Sequence, residues 1–269
     1  MKTASRIYTA IIFAILYLPI IVLILFSFNK ADGTSVFAGF SLRWYKELFR
    51  NAEAFNALKN TLILAITSSL AATVIGTGAA VGLSRMKNKV VKASITSATN
   101  IPMMNPDIVT GVSMMLLFVV VGKIVGVSGD KLNFWTIFIA HVTFNLPYVI
   151  LNINPRIKQM DKSLTEAALD LGCTPVKAFF KVELPFILPG IIAGLIMAFT
   201  LSLDDFVISY FTSGNDFQTL PILIYSMTKK KVTPDMYALS SIIVVSVLVL
   251  LILSNTVGTK KTKVNGKQR

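Results

Sequence analysis

Two adjacent aspartates, Asp204 and Asp205, interrupt a run that is otherwise apolar from Ile187 to Phe211, and a third, Asp107, stands near the head of another. A charge at bilayer depth costs at least ~2.5 kcal/mol, so such groups face a protein interior or a water-filled path, where they can hold a cation. No lysine or arginine lies between Glu183 and Lys229 to neutralise the pair locally. Asn105, Pro106 and Asp107 also read as an N-cap, a first-turn proline and a charge favourable to the helix dipole, so Asp107 fits a helix start and a substrate path alike. Asp204 and Asp205 have no such explanation, because seventeen residues of apparent helix precede them from Ile187. On one helix the two would project ~100° apart, so one should meet a cation while the other tunes the field or bonds a neighbouring helix. Phe206, Tyr210 and Phe199 lie near enough to offer aromatic faces to a cation; packing against lipid or core is their other reading.

The remaining chemistry is sparse. One histidine, His141, excludes a two-histidine metal motif, and one cysteine, Cys173, excludes an internal disulfide or a multi-cysteine zinc site. His141 sits within an apolar run, where an imidazole bonds a neighbouring helix more often than it catalyses. No catalytic set of serine, histidine and acid is evident, and no metal site is expected. No G-x-x-x-x-G-K-[S/T] stretch occurs, so no P-loop is available in this chain to cradle phosphates.

The elements that position these residues are membrane helices. The 269 residues are 54% hydrophobic and 14% charged, with a mean hydropathy of +0.70, more apolar than a soluble domain can bury. Six runs are long enough to span: Ile7 to Phe28, Thr61 to Leu83, Ile101 to Gly122, Phe134 to Ile153, Ile187 to Phe211 and Ala238 to Val257. The first lacks a small-x-small cleavage signal and reads as a retained helix. The amino terminus, Arg85 to Asn100, Asn154 to Phe186 and the tail from Gly258 hold 16 of the 26 basic residues. By the positive-inside rule these segments, and both termini, are cytoplasmic. The acid-free loop from Arg85 to Lys92 carries most of that argument and reads otherwise as a stop-transfer flank. The basic tail Lys260 to Arg269 reads as a solvated end near anionic lipid rather than a nucleic-acid site. No linker divides the chain, so one membrane domain over residues 1–269 is expected, with a core at about 57–257 and the tail at 258–269.

Between the fourth and fifth spans, Ser163 with Glu166 reads as a capping box, Gly172 as a helix end, and Thr174 with Pro175 as a second start, in a helix that ends before Pro185. Leu164, Ala167, Ala168 and Leu171 share one face of the first helix, and Val176, Phe179 and Phe180 one face of the second. Such a hairpin has too little core to stand alone and must pack on membrane helices, a partner or both.

Glu166, Ala167 and Ala168, then Gly172, then Leu184-Pro185, resemble the EAA loop of the permease subunits of ATP-binding-cassette (ABC) importers. The resemblance extends over almost the whole chain to the spermidine/putrescine importer permeases. It is carried by Tyr17-Leu-Pro-Ile-Ile21, Trp44-Tyr45, Asn105-Pro-Asp-Ile-Val109, Phe199-Thr-Leu-Ser-Leu-Asp-Asp-Phe206, Leu220-Pro-Ile-Leu-Ile-Tyr-Ser-Met227, Thr233-Pro234 and Ala238-Leu239. The resemblance implies an all-α ABC type-1 (MetI-like) permease fold of six spans, with a cytoplasmic coupling hairpin between spans 4 and 5, in a bacterial inner membrane. It implies that Glu166, Ala167, Ala168 and Gly172 couple to an ATPase, and that Asp204, Asp205, Asp107, Phe206 and Tyr210 line a route for polyamines. The implied partners are a second homologous permease chain, two ATPase subunits carrying ATP and Mg, and an extracytoplasmic polyamine-binding protein. Related permeases for iron, phosphonate or thiamine share parts of the fifth-span pattern; an ion-coupled secondary transporter could also use buried aspartates but would not need the EAA loop.

Overall fold

The computed structural model describes residues 2–31, 36–124, 132–215, 217–229, 237–242, 244–245 and 248. Among them every regular element is helical, apart from an isolated antiparallel bridge between Asn29 and Phe40. Five stretches are long and apolar enough to cross a bilayer: Arg6–Ser27, Ala52–Arg85, Asp107–Ile124, Phe134–Gln159 and Pro175–Asp204. Residues 238–242, 244–245 and 248 of the expected sixth span are helical. The rest of that span and the tail Lys260 to Arg269 lie outside the described residues. Contacts gather the chain into two units, one of residues 1–59 and 219–249, the other of 60–218 and 250–269.

The first unit holds α1 (Lys2–Ser27), α2 (Arg43–Arg50), the start of α3 (Ala52–Arg85) and α11 (Leu220–Lys229). Asn29 organises the turn after α1. Its side-chain amide donates to the Val36 carbonyl at 2.8 Å, its side-chain oxygen accepts from the Ala38 amide at 2.8 Å, and its own carbonyl accepts the Trp44 indole N–H at 2.8 Å. Trp44 is thereby buried with its one donor satisfied, as a buried indole requires. The Tyr45 hydroxyl lies 2.7 Å from both Ser27 Oγ and Ser241 Oγ. Leu48, Ala54, Ala57, Leu220, Leu223 and Leu239 form the core. The apolar side chains of α1 from Ile7 to Leu25 stay largely exposed, as they would in a helix bathed by lipid.

The second unit holds the rest of α3, α4 (Lys89–Met104), α5 (Asp107–Ile124), α6 (Phe134–Gln159), α7 (Lys162–Asp170), α8 (Pro175–Ala178), α9 (Leu184–Asp204) and α10 (Val207–Thr212). Its densest contact sets α9 against α6. Gly190, Gly194, Ala198 and Ser202 are buried at four-residue spacing on α9, a stripe of small side chains that lets the backbones close up. A Cβ on Gly190 would stand 2.9 Å from the Asn152 carbonyl, and one on Gly194 3.2 Å from the Val149 Cα. Ser202 Oγ accepts from the Asn145 side-chain amide at 2.7 Å and lies 3.1 Å from Ser68 Oγ, joining α9, α6 and α3 through polar groups that lipid could not satisfy.

Two spans differ from expectation, each at a residue that alters backbone hydrogen bonding. The stretch Ile101 to Gly122 is not one helix, and the basic connection before it is not a loop. α4 starts at Asn88, whose side chain accepts the Val90 and Val91 amides, and runs to Met104. Asn105 is extended at ψ 144, the conformation that the ring of Pro106 favours in the preceding residue, and α5 begins after it. The stretch Ile187 to Phe211 breaks after Asp204, where Asp205 is extended at ψ 123 before α10 starts.

Candidate functional site

At the break between α9 and α10 the two aspartates part company. Asp205 turns inward: its carboxylate accepts the Ser209 amide at 2.7 Å and the Ile208 amide at 3.4 Å, capping the start of α10. Its Oδ2 also lies 3.5 Å from Nε2 of the fully buried His141, which is 2.9 Å from Ser209 Oγ. The ring of Phe144 meets that imidazole edge-on at 5.1 Å. The ~100° divergence expected on a continuous helix is therefore replaced by a cap and an exposed neighbour. Asp204 remains exposed, and among the described residues it forms no ion pair. Tyr210 is also exposed, with its ring 5.5 Å from that of the half-buried Phe206.

α10 packs against α5 at Gly111, where a Cβ would come 3.0 Å from the Phe211 ring and 3.4 Å from the Ile208 Cα. Asp107, exposed, lies one turn earlier on the same face of α5, in its first turn. Asp204, Phe206 and Tyr210 thus share one break, and Asp107 sits on the helix that packs beside it. The bond from His141 to a neighbouring helix accords with the reading of a lone membrane histidine. Ser209, Ser202 and Asn145 were not legible as partners, although His141 and Asn145 stand four residues apart on one face of an apolar helix.

The hairpin is built as expected in its turn and differently at its ends. Asp161, not Ser163, caps α7, its side chain accepting the Ser163 amide at 3.0 Å. That bond, together with one from the Ser163 side chain, holds the Asp161 carboxyl below the usual carboxylate range. The capping box of Ser163 and Glu166 does not form, because the helix already starts at Lys162 and both residues lie inside it. At the far end Cys173 N–H donates to the Ala168 carbonyl at 3.0 Å and Gly172 N–H to the Leu169 carbonyl at 2.9 Å, a Schellman closure with Gly172 at φ +83. A Cβ on Gly172 would meet nothing within 4 Å, so the glycine is required by its backbone angle rather than by space. Thr174 caps α8 through the Lys177 amide with Pro175 in the first turn.

The helix after Thr174 does not end before Pro185. It passes through a π-helical turn, Phe179–Glu183, in which the Leu184 amide reaches back five residues to the Phe179 carbonyl, and continues as α9 with Pro185 in its first turn. The widened turn falls where the proline removes a donor from the ladder. Glu183, nearly buried, forms a 2.7 Å ion pair with Arg85 at the end of α3. Ala168 is the buried member of the Glu166-Ala-Ala trio. Glu166 and Ala167 are exposed, together with Leu164, Leu171, Val176 and Phe180.

Residues 72–259 match the family described as binding-protein-dependent transport system inner membrane component. The chain belongs to that family. Over 231 residues the permease is 42% identical to the putrescine transport system permease protein PotI of Escherichia coli (strain K12), a match covering 86% of this chain and 82% of the relative. It is 38% identical over 254 residues to the spermidine/putrescine transport system permease protein PotC of the same strain, covering 94% and 93%. Its fold is that of an ABC type-1 permease. A bacterial ABC transporter involved in the import of the acidic polysaccharide alginate superposes with a TM-score of 0.76 at 17% identity, over 96% of this chain and 95% of that one.

Proposed function

We propose that this permease subunit moves polyamines, spermidine or putrescine, into the cytoplasm as part of an ABC importer driven by a separate ATPase. The observation that carries the reading is the similarity, at about two residues in five over most of the chain, to two polyamine permeases. The geometry supports it through Asp204, an exposed carboxylate at the end of an apolar helix with aromatic rings beside it. A polyammonium chain with methylene spacers suits a route of carboxylates and rings. The working complex would add a second homologous permease chain, two ATPase subunits binding ATP and Mg, and an extracytoplasmic polyamine-binding protein. The exposed apolar residues of α7 and α8 would seat in the ATPase. Proteoliposomes holding the whole complex are expected to accumulate labelled spermidine or putrescine on ATP addition and not ferric iron, phosphonate or thiamine. Polyamine uptake driven by an ion gradient without ATP would replace this reading with a secondary transporter.

Both termini and the hairpin are assigned to the cytoplasm, on the excess of basic residues in those segments. In a Cys173→Ala background, an impermeant thiol reagent applied to intact cells is expected to label Lys46→Cys in α2 and to spare Lys89→Cys in α4. Both positions are exposed, so accessibility within the fold does not limit either reaction. Labelling of the Lys89→Cys variant alone would invert the topology.

A further inference from the structure

Where α3 ends at Arg85 and α6 ends at Gln159, the ends of two membrane-length helices meet the start of α4, the inner side of α7 and the first turn of α9 around a cleft of about 700 Å³. Its charged lining is uneven. Arg85 and Glu183 neutralise each other at 2.7 Å, which leaves Lys87, Lys92, Lys158 and Glu166 on the same lining, and among the described residues these four form no ion pair. Thr165, on the inward face of α7, lines the same cleft, and its hydroxyl oxygen is buried without a hydrogen-bond partner among the described residues. The rest of the lining includes Val81, Met86, Ile157 and Ile187, side chains that would stay in contact with water if the cleft were empty.

We propose that this cleft binds an anionic phospholipid, its phosphate held by Lys87, Lys92, Lys158 and the Thr165 hydroxyl and its upper acyl segments laid on the apolar wall. The three lysines supply charge at the depth where headgroups lie, since both spanning helices terminate there. The Thr165 O–H can donate to a phosphate oxygen, which satisfies a buried group that otherwise carries a desolvation cost. An acidic protein segment would meet the lysines but would leave the apolar wall uncovered, which is why a lipid fits better. An occupant touches Thr165 and Glu166 together with the ends of α3 and α6, and so braces the hairpin against the membrane helices. The inference stands apart from the polyamine reading, because binding is measured without transport.

The test is native mass spectrometry of the purified full-length chain offered equal amounts of phosphatidylglycerol and phosphatidylcholine. The unmodified chain is expected to retain phosphatidylglycerol preferentially. The preference should fall by about fivefold for each lysine removed in the series to Lys87→Gln/Lys92→Gln/Lys158→Gln. Arginine at the same three positions should keep it, which separates lost charge from lost folding, and Lys30→Gln/Lys46→Gln/Lys59→Gln should leave it unchanged. An undiminished preference in the first triple variant would overturn the assignment. So would displacement of the lipid by millimolar inorganic phosphate, which would make the site one for a free anion. Loss of ATPase co-purification in that variant with lipid retention intact would instead identify the occupant as an acidic protein segment.

Discussion

Asp204→Asn is expected to lower polyamine uptake by the assembled complex at least about tenfold, with the chain still inserted and the binding protein still loading substrate. The change keeps size and hydrogen-bonding capacity and removes only the charge. A hydrogen bond to a charged group contributes about 1.5–3 kcal/mol, and tenfold corresponds to about 1.4 kcal/mol, so the loss should exceed the scatter of a transport assay. The neighbouring residue should behave differently. Asp205 accepts two backbone amides at the start of α10 and faces His141, so Asp205→Ala removes a cap and is expected to reduce thermal stability by about 0.5–2 kcal/mol. Asp205→Ser, which can still cap, should recover most of that stability although it carries no charge. Spermidine import at the unmodified rate by Asp204→Asn would remove this carboxylate from the route. Failure of the serine to outperform the alanine would show that Asp205 acts through its charge.

The second large effect is expected at the hairpin. Leu171 is 86% exposed and Val176 is 66% exposed, on either side of the glycine turn, with little cover from the described residues. Leu171→Asp with Val176→Asp should leave the permease inserted and folded, because neither side chain contributes to a core. Burying two unpaired carboxylates against a partner costs several kcal/mol, so co-purification of the ATPase should fall by more than about a hundredfold. Gly172→Ala tests a different cause. Its side chain would enter open space, so any defect arises from the left-handed backbone, at about 1–2 kcal/mol, and should be much milder than that of the double aspartate. ATPase retention by the charged pair would remove this face from the docking surface.

Much of the hairpin was legible because its signals are local. Gly172 ends a helix through its own φ, and Thr174 with Pro175 starts one through bonds within four residues, so no distant part of the chain is needed to read them. Ser163 misled because Asp161, two residues earlier, is an equally good cap, and nearby residues alone do not decide which oxygen captures the free amides. Pro185 misled in the opposite sense. Proline normally ends a helix, but the π-helical turn before it absorbs the missing donor, and the Arg85 to Glu183 pair ties that turn to a residue 98 positions away.

Hydropathy by itself determined that this is a membrane chain, because length and apolarity are sums over residues and do not depend on which helix neighbours which. It also singled out Asp107, Asp204 and Asp205 for attention, since a charge in such a run needs a reason wherever the run is placed. Which aspartate is exposed was decided only by the tertiary structure. The answer depends on His141 and Ser209, brought together from different helices, and on the break that lets Asp205 reach the amides of α10. The close approach of α6 and α9 is of the same kind. Four small residues at four-residue spacing permit it, but the backbone atoms of Asn152 and Val149 that make Gly190 and Gly194 necessary lie about forty residues away, where local patterning carries no information about them.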